Sequence, residues 1–324
     1  MLIAGGGVAE QVGASRLPTI PGPIRLQCPR CAEPSLHDRC LRCRFQFREV
    51  DGIIQALPPE RIAHFAPFAR DYEHIRAAEG RGSVNDDFYL ALPYDDISGK
   101  HADQWKIRAR TFECLLMRVL MPRLAKGASV LDLGAGNCWL SYRLALEGYR
   151  PAAVDLLTNA ADGLGAAEHY RNYIPEMFPR FRAELARLPF ADGQFDAIVF
   201  NASYHYAEDA EVALREALRC VPQNGLVIIS DSPCYSCDES GRQMVAQRRA
   251  HFLHNYETAS DAIDSLEYLT PPRLHHLEDR MAIHWETYSP DYGLKWAMRP
   301  FVARLRRRRE PAHFRIYVAR KGSQ

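Results

Sequence analysis

The chain has 324 residues, of which 47% are hydrophobic and 25% charged, and its formal net charge is +1. This composition is typical of a globular protein with a full hydrophobic core, and it excludes a chain that is disordered throughout. The balance of charges excludes a field over the whole molecule that attracts nucleic acid, so any basic surface must be local.

Residues 1–23 are rich in glycine, alanine and proline, which predicts a flexible tail. They contain neither a basic start nor a sustained apolar run, so we do not expect a secretory signal. No stretch of the chain approaches the ~18 apolar residues that a membrane-spanning helix needs. Nine cysteines are present, and four of them are clustered with metal-binding spacing. The others suggest no disulfide framework, so we expect a cytoplasmic protein.

Residues 24–57 are predicted to form a small zinc ribbon. Cys28 and Cys31 form one Cys-x2-Cys pair, and Cys40 and Cys43 form a second one eight residues later. Two such turns facing each other make a tetrahedral zinc site, and four thiolate ligands leave no position for a reacting water. The zinc is therefore expected to be structural, with disulfide pairing as the alternative. The alternating residues on either side of Asp51-Gly52 predict a hairpin that closes the ribbon.

Residues 58–126 are predicted to be a helical linker that also contributes a lid. A proline pair at 58–59 precedes a predicted helix at 60–78, and a second helix is predicted at 101–125. Between them, Tyr89, Tyr94, Asp95 and Asp96 are candidates to fold over a ligand. A plain linker is the alternative.

From residue 127 onward, predicted strands and helices alternate, which indicates a parallel sheet with right-handed crossovers. Strands are predicted at 129–133, 151–155, 180–184, 196–201 and 226–232. Helices are predicted at 138–147, 159–172 and 208–220. The domain is predicted to extend to residue 322, with a helical insertion at 238–280 on the acceptor side.

The first of these strands ends in a glycine turn that indicates a nucleotide-like cofactor. Gly134 and Gly136 allow a sharp turn and a close approach of the ligand to the backbone. Asp132 precedes the turn, where its carboxylate would repel the pyrophosphate of a dinucleotide but could pair with the ammonium and sulfonium of S-adenosylmethionine. Asp155, 19 residues beyond Gly136, is placed to accept both ribose hydroxyls. The charge pattern therefore favours S-adenosylmethionine.

Residues 128–232 resemble the class I S-adenosylmethionine-dependent methyltransferases through five motifs in order. These motifs are DLGAGNC, AVDL, AELARLPFADGQFD, the NASYH that ends strand four, and PQNGLVIIS. The resemblance implies a Rossmann-like α/β fold, with seven strands and helices on both faces of the sheet. It implies that the cofactor is bound by Asp132, Gly134, Ala135, Gly136, Asp155, Leu156, Glu184, Leu185 and Asn201. Cys138 departs from the pattern, because many members have glycine there.

The zinc-ribbon segment resembles modules attached to several bacterial methyltransferases, including one that modifies guanine in ribosomal RNA. It is also similar to the small zinc-ribbon partner that activates eukaryotic methyltransferases. These resemblances concern about 35 residues and do not identify a substrate.

Two residues are candidates for contact with the methyl acceptor. His205 follows strand four and titrates near neutrality in an ordinary environment, so it is a candidate base. Asp231 ends strand five and is a second candidate. Each has a structural alternative: the histidine could pack against the cofactor, and the aspartate could cap the next turn.

The last part of the chain is predicted to add two strands, near 282–288 and 313–320, as an antiparallel edge hairpin. Between them, Arg304–Arg309 contribute to a basic segment with interspersed apolar residues. This segment could bind RNA or an anionic lipid or glycan carrier, or it could be a solvated loop.

The sequence therefore predicts a methyltransferase whose acceptor is a small molecule or a lipid- or glycan-linked group. The alternative is a base methyltransferase of ribosomal or transfer RNA that uses the zinc ribbon and the arginines. A non-catalytic protein that binds the cofactor to support a partner is a third, less favoured hypothesis.

Overall fold

The computed structural model describes residues 24–35 and 38–322, so the predicted tail at 1–23 lies outside the described residues. Strands β1 (Leu26–Gln27) and β2 (Pro34–Ser35) form a small antiparallel sheet around the first Cys-x2-Cys turn. In the part of the chain that is described, no helix is long and apolar enough to cross a bilayer.

The main sheet has nine strands: β3 (Arg48–Val50), β4 (Ile53–Gln55), β5 (Ser129–Leu133), β6 (Arg150–Asp155), β7 (Arg180–Arg182), β8 (Ala197–Asn201), β9 (Leu226–Ser230), β10 (Trp285–Tyr288) and β11 (Ile316–Arg320). Their order in the sheet is β10-β11-β9-β8-β5-β6-β7-β4-β3. Its parallel centre consists of β5, β6, β7, β8 and β9. The edge strands β10 and β11 are antiparallel, as predicted. The predicted α/β fold is confirmed, and the predicted seven-stranded sheet is extended by two further strands to nine.

Both faces of this sheet are buried. Leu131 and Leu133 of β5 pack into one core, whereas Val130, the residue before Leu131, packs into the core on the other face. This alternation follows from the two-residue period of a strand. Because both faces are covered, the central strands are nearly continuous apolar runs, as their sequences indicate.

The hairpin at Asp51-Gly52 departs from the prediction. Strands β3 (Arg48–Val50) and β4 (Ile53–Gln55) form the hairpin, and both turn residues have positive φ. However, β4 pairs in parallel with β7, so the hairpin extends the main sheet and does not simply close the ribbon. Ile53 and Ile54 are buried on opposite faces of the sheet, and this burial decides the pairing.

Four α-helices precede β5 in the chain, and a fifth follows it. They are α1 (Pro59–Ala78), α2 (Asp86–Ala91), α3 (Ala102–Cys114), α4 (Met121–Arg123) and α5 (Trp139–Leu146). A π-helical segment, Leu115–Leu120, joins α3 to α4, so the predicted helix at 101–125 is continuous but not α-helical throughout. Asn85 caps α2 by accepting a hydrogen bond from the N–H of Asp87.

The remaining helices follow β8 in the chain. They are α6 (Ala210–Cys220), α7 (Asp238–Tyr256), α8 (Pro271–Met281), α9 (Leu294–Ala297) and α10 (Arg299–Leu305). Two 3-10 helices, Leu164–Tyr173 and Tyr204–Tyr206, follow β6 and β8. The first of these replaces the α-helix predicted at 159–172.

Candidate active site

The glycine turn lies where β5 ends, at the carboxyl edge of the parallel sheet. Gly134 and Gly136 both have positive φ, and so does Cys138, which precedes α5. A Cβ atom on Gly134 would lie 2.3 Å from the Cβ of Ser203, so no other residue fits there. Ser203 in turn donates a hydrogen bond to the carbonyl of Leu133. The turn is therefore locked against the end of β8.

Asp155, at the end of β6, is oriented by the same turn. One of its carboxylate oxygens accepts from the N–H of Gly136 at 2.8 Å, and the other accepts from the N–H of Leu157 at 2.8 Å. A carboxylate has about four acceptor positions, so two remain for the hydroxyls of a ligand. Burial raises the pKa of Asp155 to about 6, against which these backbone hydrogen bonds act.

Asp132 lies beneath the turn and is only 1% exposed. Ser141 of α5 donates to its Oδ2 at 2.8 Å, whereas Oδ1 is buried without a hydrogen-bond partner among the described residues. Burial raises the pKa of Asp132 to about 7, although the Ser141 hydrogen bond opposes this shift. A nearby cation would stabilise a buried carboxylate with a free oxygen. Asp132 itself is not among the residues that line the cavity in front of the turn.

A cavity of about 90 Å³ opens in front of the turn. Five of the residues predicted to bind the cofactor line it, namely Gly134, Gly136, Asp155, Leu156 and Leu185. Ala135 is 7% exposed and hydrogen-bonded to Val154, and it does not line the cavity. Thus five of the nine predicted cofactor residues face one common space.

Two of the predicted cofactor residues have other partners in the structure. The carboxylate of Glu184 accepts two hydrogen bonds from Arg61 of α1, at 2.9 and 2.6 Å. Asn201 accepts a hydrogen bond from Ser230 at 3.0 Å, which ties β8 to β9. Neither residue lines the cavity, although Ala183 and Ala202 beside them do.

The wall opposite the turn comes from α1 and not from the predicted lid residues. Phe68 and Tyr72 of α1 line the cavity together with Tyr206, and the three rings contact one another at centroid distances of 5.7–6.0 Å. Asp162 also lines the cavity and is paired with Arg76. The aromatic spacing along α1, at positions 65, 68 and 72, is the signal that could have identified this wall.

The predicted lid residues have structural positions. Tyr89 is fully buried and stacks on His169, and Tyr94 lies under the guanidinium of Arg143. Asp96 accepts hydrogen bonds from the N–H groups of Ser98 and His101 just before α3. None of the four predicted residues lines the cavity, and Asp95 is exposed.

Asp231 follows β9 and does not line the cavity, although the carbonyl of the preceding Ser230 accepts a hydrogen bond from the N–H of the cavity-lining Ala202. Its Oδ1 accepts from the hydroxyl of Thr111 at 2.6 Å, and its Oδ2 is buried without a described partner. Burial raises the pKa of Asp231 to about 6. An oriented carboxylate with one free oxygen can accept a proton or a hydrogen bond from an acceptor molecule.

Thr111 and Arg108 of α3 were not identified from the sequence. The Tyr292 hydroxyl lies 2.8 Å from that of Thr111, so three segments meet at Asp231. Arg108, one helical turn before Thr111, lies over the ring of Trp105 at 4.7 Å. It makes no hydrogen bond or ion pair with any other residue that the structure describes. Thr111 directly precedes the mostly apolar residues 112–120, and this position is the sequence signal for the face.

His205 lies in the 3-10 turn after β8, and its Nδ1 is 3.3 Å from the hydroxyl of Ser232. Burial, together with the positive charges of Arg248 and Arg108, lowers its pKa to about 3. The imidazole is therefore neutral at physiological pH, and it is a weak base.

The four predicted metal ligands are brought together. The Sγ atoms of Cys28, Cys31, Cys40 and Cys43 all lie within 4.8 Å of one another. The closest pairs are 3.4 and 3.5 Å apart, too far for a disulfide bond and close to the roughly 3.8 Å expected between thiolates around a tetrahedral zinc ion.

The two Cys-x2-Cys turns have the same backbone geometry. In the first, the Cys28 carbonyl accepts from the N–H of Ala32, and in the second the Cys40 carbonyl accepts from the N–H of Arg44, each at 2.9 Å. Ala32 and Arg44 both have positive φ. Two equivalent turns facing each other are the arrangement that a four-thiolate site requires, so the residues fit a zinc ion.

Comparison with known proteins relates one segment of the chain to a family. Residues 131–229 match the family model described as a methyltransferase domain. This segment is a methyltransferase domain.

Three curated relatives of the methyltransferase domain differ in their named substrates. The arsenite methyltransferase of Aquipseudomonas alcaligenes is 33% identical over 137 residues, covering 39% of this chain and 38% of the relative. The demethylmenaquinone methyltransferase of Mycobacterium marinum is 31% identical, covering 34% and 43%. The malonyl-[acyl-carrier protein] O-methyltransferase of Halorhodospira halophila is 30% identical, covering 42% and 45%. The chain thus spans less than half the length of each.

Among solved structures, magnesium protoporphyrin IX methyltransferase from Synechocystis PCC 6803, crystallised with bound SAH, has a similar fold. Its TM-score is 0.50 at 15% identity, and the match covers 81% of this chain and all of that one. This likeness agrees with the methyltransferase fold of the domain.

Proposed function

We propose that the chain transfers the methyl group of S-adenosylmethionine to a small-molecule or lipid- or glycan-linked acceptor. The observation that carries this proposal is the placement of Asp155. Its carboxylate is held by the N–H of Gly136, in the glycine turn, and faces a cavity at the carboxyl edge of the sheet. Ligands of open parallel sheets bind at this edge.

The residues of the turn would hold the cofactor in distinct ways. Asp155 would accept hydrogen bonds from ribose hydroxyls, and Leu156 and Leu185 would pack against the apolar parts of the ligand. Asp132 would supply negative charge below the cationic end. The other three predicted residues would act indirectly. Ala135 would support the backbone of the turn, Glu184 would hold α1 through Arg61, and Asn201 would link β8 to β9. The cofactor supplies a methyl group that positive sulfur has already activated.

The protein's task is therefore to orient the acceptor and to exclude water. Of the two candidate bases, Asp231 is the better suited. Its pKa of about 6 lies nearer to neutrality than the pKa of about 3 of His205, and a stronger base accepts a proton from the acceptor more effectively. Thr111 would fix the orientation of Asp231, and His205 would contribute a wall or a hydrogen bond.

The acceptor class is supported by the relatives and by Arg108. The three relatives are named for arsenite, a demethylmenaquinone and a malonyl group on a carrier protein, none of which is a nucleic acid. A guanidinium without an ion-pair partner among the described residues can bind an acidic or strongly polar group of the acceptor. The RNA alternative depends on the ribbon and on Arg304–Arg309, whose arginines are mostly exposed.

We also propose that the cysteine cluster binds a structural zinc ion. Because the ligands must be reduced thiolates, this site favours the cytoplasm as the compartment in which the chain works.

The proposed function predicts labelled methyl transfer from tritiated S-adenosylmethionine into fractionated cell extracts. We expect label in the metabolite or lipid fraction, and Asp231→Asn should lower kcat by roughly 10²–10⁴-fold while leaving cofactor affinity nearly unchanged. The matched control is Asp279→Asn, which changes an exposed carboxylate of α8 and should keep full activity. Label confined to RNA would favour the alternative, and no label in any fraction would argue against an enzyme.

Cofactor affinity should depend on pH through Asp132. Because its pKa in the free protein is raised to about 7, a bound cation that lowers this pKa displaces a proton. Affinity should therefore fall as pH drops below about 7, by up to roughly tenfold per unit. Calorimetry from pH 5.5 to 8.5 should show a weaker pH dependence of affinity for Asp132→Asn than for the unchanged chain. Titration of the cofactor itself contributes equally to both proteins, so it cancels in this comparison. If the affinities of Asp132→Asn and the unchanged chain changed with pH in the same way, ionisation of Asp132 would not be linked to cofactor binding.

A further inference from the structure

The segment Leu294–Arg309, between β10 and β11, lies on the surface and is nearly continuously helical from Leu294 to Leu305. The N–H of Met298 donates to the carbonyl of Leu294, and the N–H of Val302 donates to the carbonyl of Met298, each at 3.0 Å. These bonds join α9 to α10, so we treat the segment as one unit and call it the basic helical segment.

One side of the basic helical segment is anchored to the domain. The Trp296 ring packs against Tyr292 and Phe314, with centroids 4.9 and 5.8 Å away. The guanidinium of Arg299 lies 3.5 Å from the centroid of the same ring. The orientation of the helix is therefore set by an aromatic cluster on its inner side.

The opposite side presents an apolar stripe. Its spacing follows the helical period, so the side chains lie together. The stripe consists of Leu294, Met298, Phe301, Val302 and Leu305. Leu294 is 79% exposed, Phe301 63% and Leu305 76%. Single exposed apolar residues are common, but a contiguous row of this kind marks a contact surface.

The stripe is surrounded by positive charge. Residues 294–309 contain seven basic residues and no acidic residue. Lys295, Arg304 and Arg306–Arg308 are exposed. Since the whole chain has a net charge of only +1, this is a local basic surface, and it selects a negatively charged partner.

We propose that the basic helical segment docks on the surface of an anionic lipid bilayer. The apolar stripe would enter the boundary between headgroups and acyl chains, and the basic side chains would contact the headgroups. RNA is less well matched, because unpaired bases stack on aromatic rings and the stripe has one aromatic among four aliphatic side chains. A second copy would bring two strongly basic surfaces together.

This inference goes beyond the proposed function, because docking does not depend on methyl transfer. The two are nevertheless connected in space. Tyr292 lies two residues before the segment, and its hydroxyl contacts Thr111, which holds Asp231. Docking would therefore bring the acceptor side of the domain to the membrane, where a lipid-linked acceptor is found.

The test is co-sedimentation of the full chain with vesicles of phosphatidylcholine alone or mixed with phosphatidylglycerol. We expect binding to the mixed vesicles that is at least about tenfold tighter than to phosphatidylcholine, and weaker at high salt. The double variant Phe301→Ser/Leu305→Ser and the triple variant Arg306→Ser/Arg307→Ser/Arg308→Ser should each lose at least about tenfold in affinity. Val84→Ser and Leu253→Ser, which remove exposed apolar side chains elsewhere, should bind like the unchanged chain.

Several results would overturn the proposal. Equal binding to both kinds of vesicle would remove the role of charge, and undiminished binding of the Phe301/Leu305 variant would remove the role of the stripe. A lipid-free dimer that dissociates in that variant would assign the stripe to a second copy. Tighter binding to RNA than to vesicles would assign the charges to nucleic acid. Thermal melting checks that the variants fold, and Leu294→Ser provides a second apolar variant outside α10.

Discussion

Replacing Asp155 by alanine should weaken S-adenosylmethionine binding at least a hundredfold, as measured by calorimetry. The carboxylate would provide charge-assisted hydrogen bonds to ribose, and each bond of this kind contributes roughly 1.5–3 kcal/mol. Losing two of them corresponds to roughly 10²–10⁴-fold in affinity. The substitution also leaves the N–H groups of Gly136 and Leu157 without their acceptor, so the turn itself loses an internal support.

The matched control for this result is Asp279→Ala, which removes an exposed carboxylate from α8. It should change neither affinity nor melting temperature. If Asp155→Ala bound the cofactor as tightly as the unchanged chain while remaining folded, the assignment of the cavity to S-adenosylmethionine would be wrong. Asp155→Asn should be intermediate, because the amide keeps one acceptor oxygen and loses the charge.

Removing zinc from the four-cysteine cluster is expected to destabilise the whole fold and not the ribbon alone. Cys28 and Cys40 are buried in the same core as Phe47, Phe181 and Phe190. Structural zinc ions contribute roughly 10–16 kcal/mol of binding free energy in isolated zinc fingers. Even a loss of ~4 kcal/mol would lower the melting temperature by roughly 6 °C, because the unfolding entropy of a chain of this size is about 0.7 kcal/mol/K.

Chelation and the double variant Cys28→Ser/Cys40→Ser should both show this decrease, with metal analysis returning one zinc ion per chain before treatment. Cys237→Ser is the matched control, since that thiol is exposed and outside the cluster. It should melt like the unchanged chain. A zinc content near zero in protein purified without chelators, with an unaltered melting temperature in the double variant, would contradict the zinc assignment.

The ribbon is also joined to the cofactor side of the domain. Arg30 donates two hydrogen bonds to Glu60 at the start of α1, and the next residue, Arg61, holds Glu184. Phe68 and Tyr72 of the same helix line the cavity. Zinc loss should therefore also weaken cofactor binding, although less than Asp155→Ala does, because the Arg30–Glu60 pair is on the surface.

Local patterns were enough for much of the fold. The glycine turn, the central strands and the cysteine pairs depend on residues close together in the sequence, and each lies where its spacing predicted. Five predicted cofactor residues line one cavity because the carboxyl ends of parallel strands meet at one edge of a sheet.

The surroundings of those residues could not be predicted in the same way. Whether Glu184 faces a ligand or Arg61 depends on a partner 123 positions away. The role of Asp231 likewise depends on Thr111, 120 positions away. Such long-range hydrogen bonds produce no repeating pattern of residues in either segment. A sequence motif therefore identifies the residue but not its hydrogen-bond partner.

Residue spacing alone predicts the sheet, the turn at Gly134 and Gly136, the position of Asp155 and the cysteine cluster. Three features appear only in the folded chain: the hairpin at Asp51-Gly52 extends the main sheet, α1 forms a wall of the cavity, and an apolar stripe remains exposed on the basic helical segment. The spacing of residues in the sequence indicates which face of its own helix or strand a residue occupies. Which distant element packs against that face depends on tertiary contacts, and these are visible only in the folded chain.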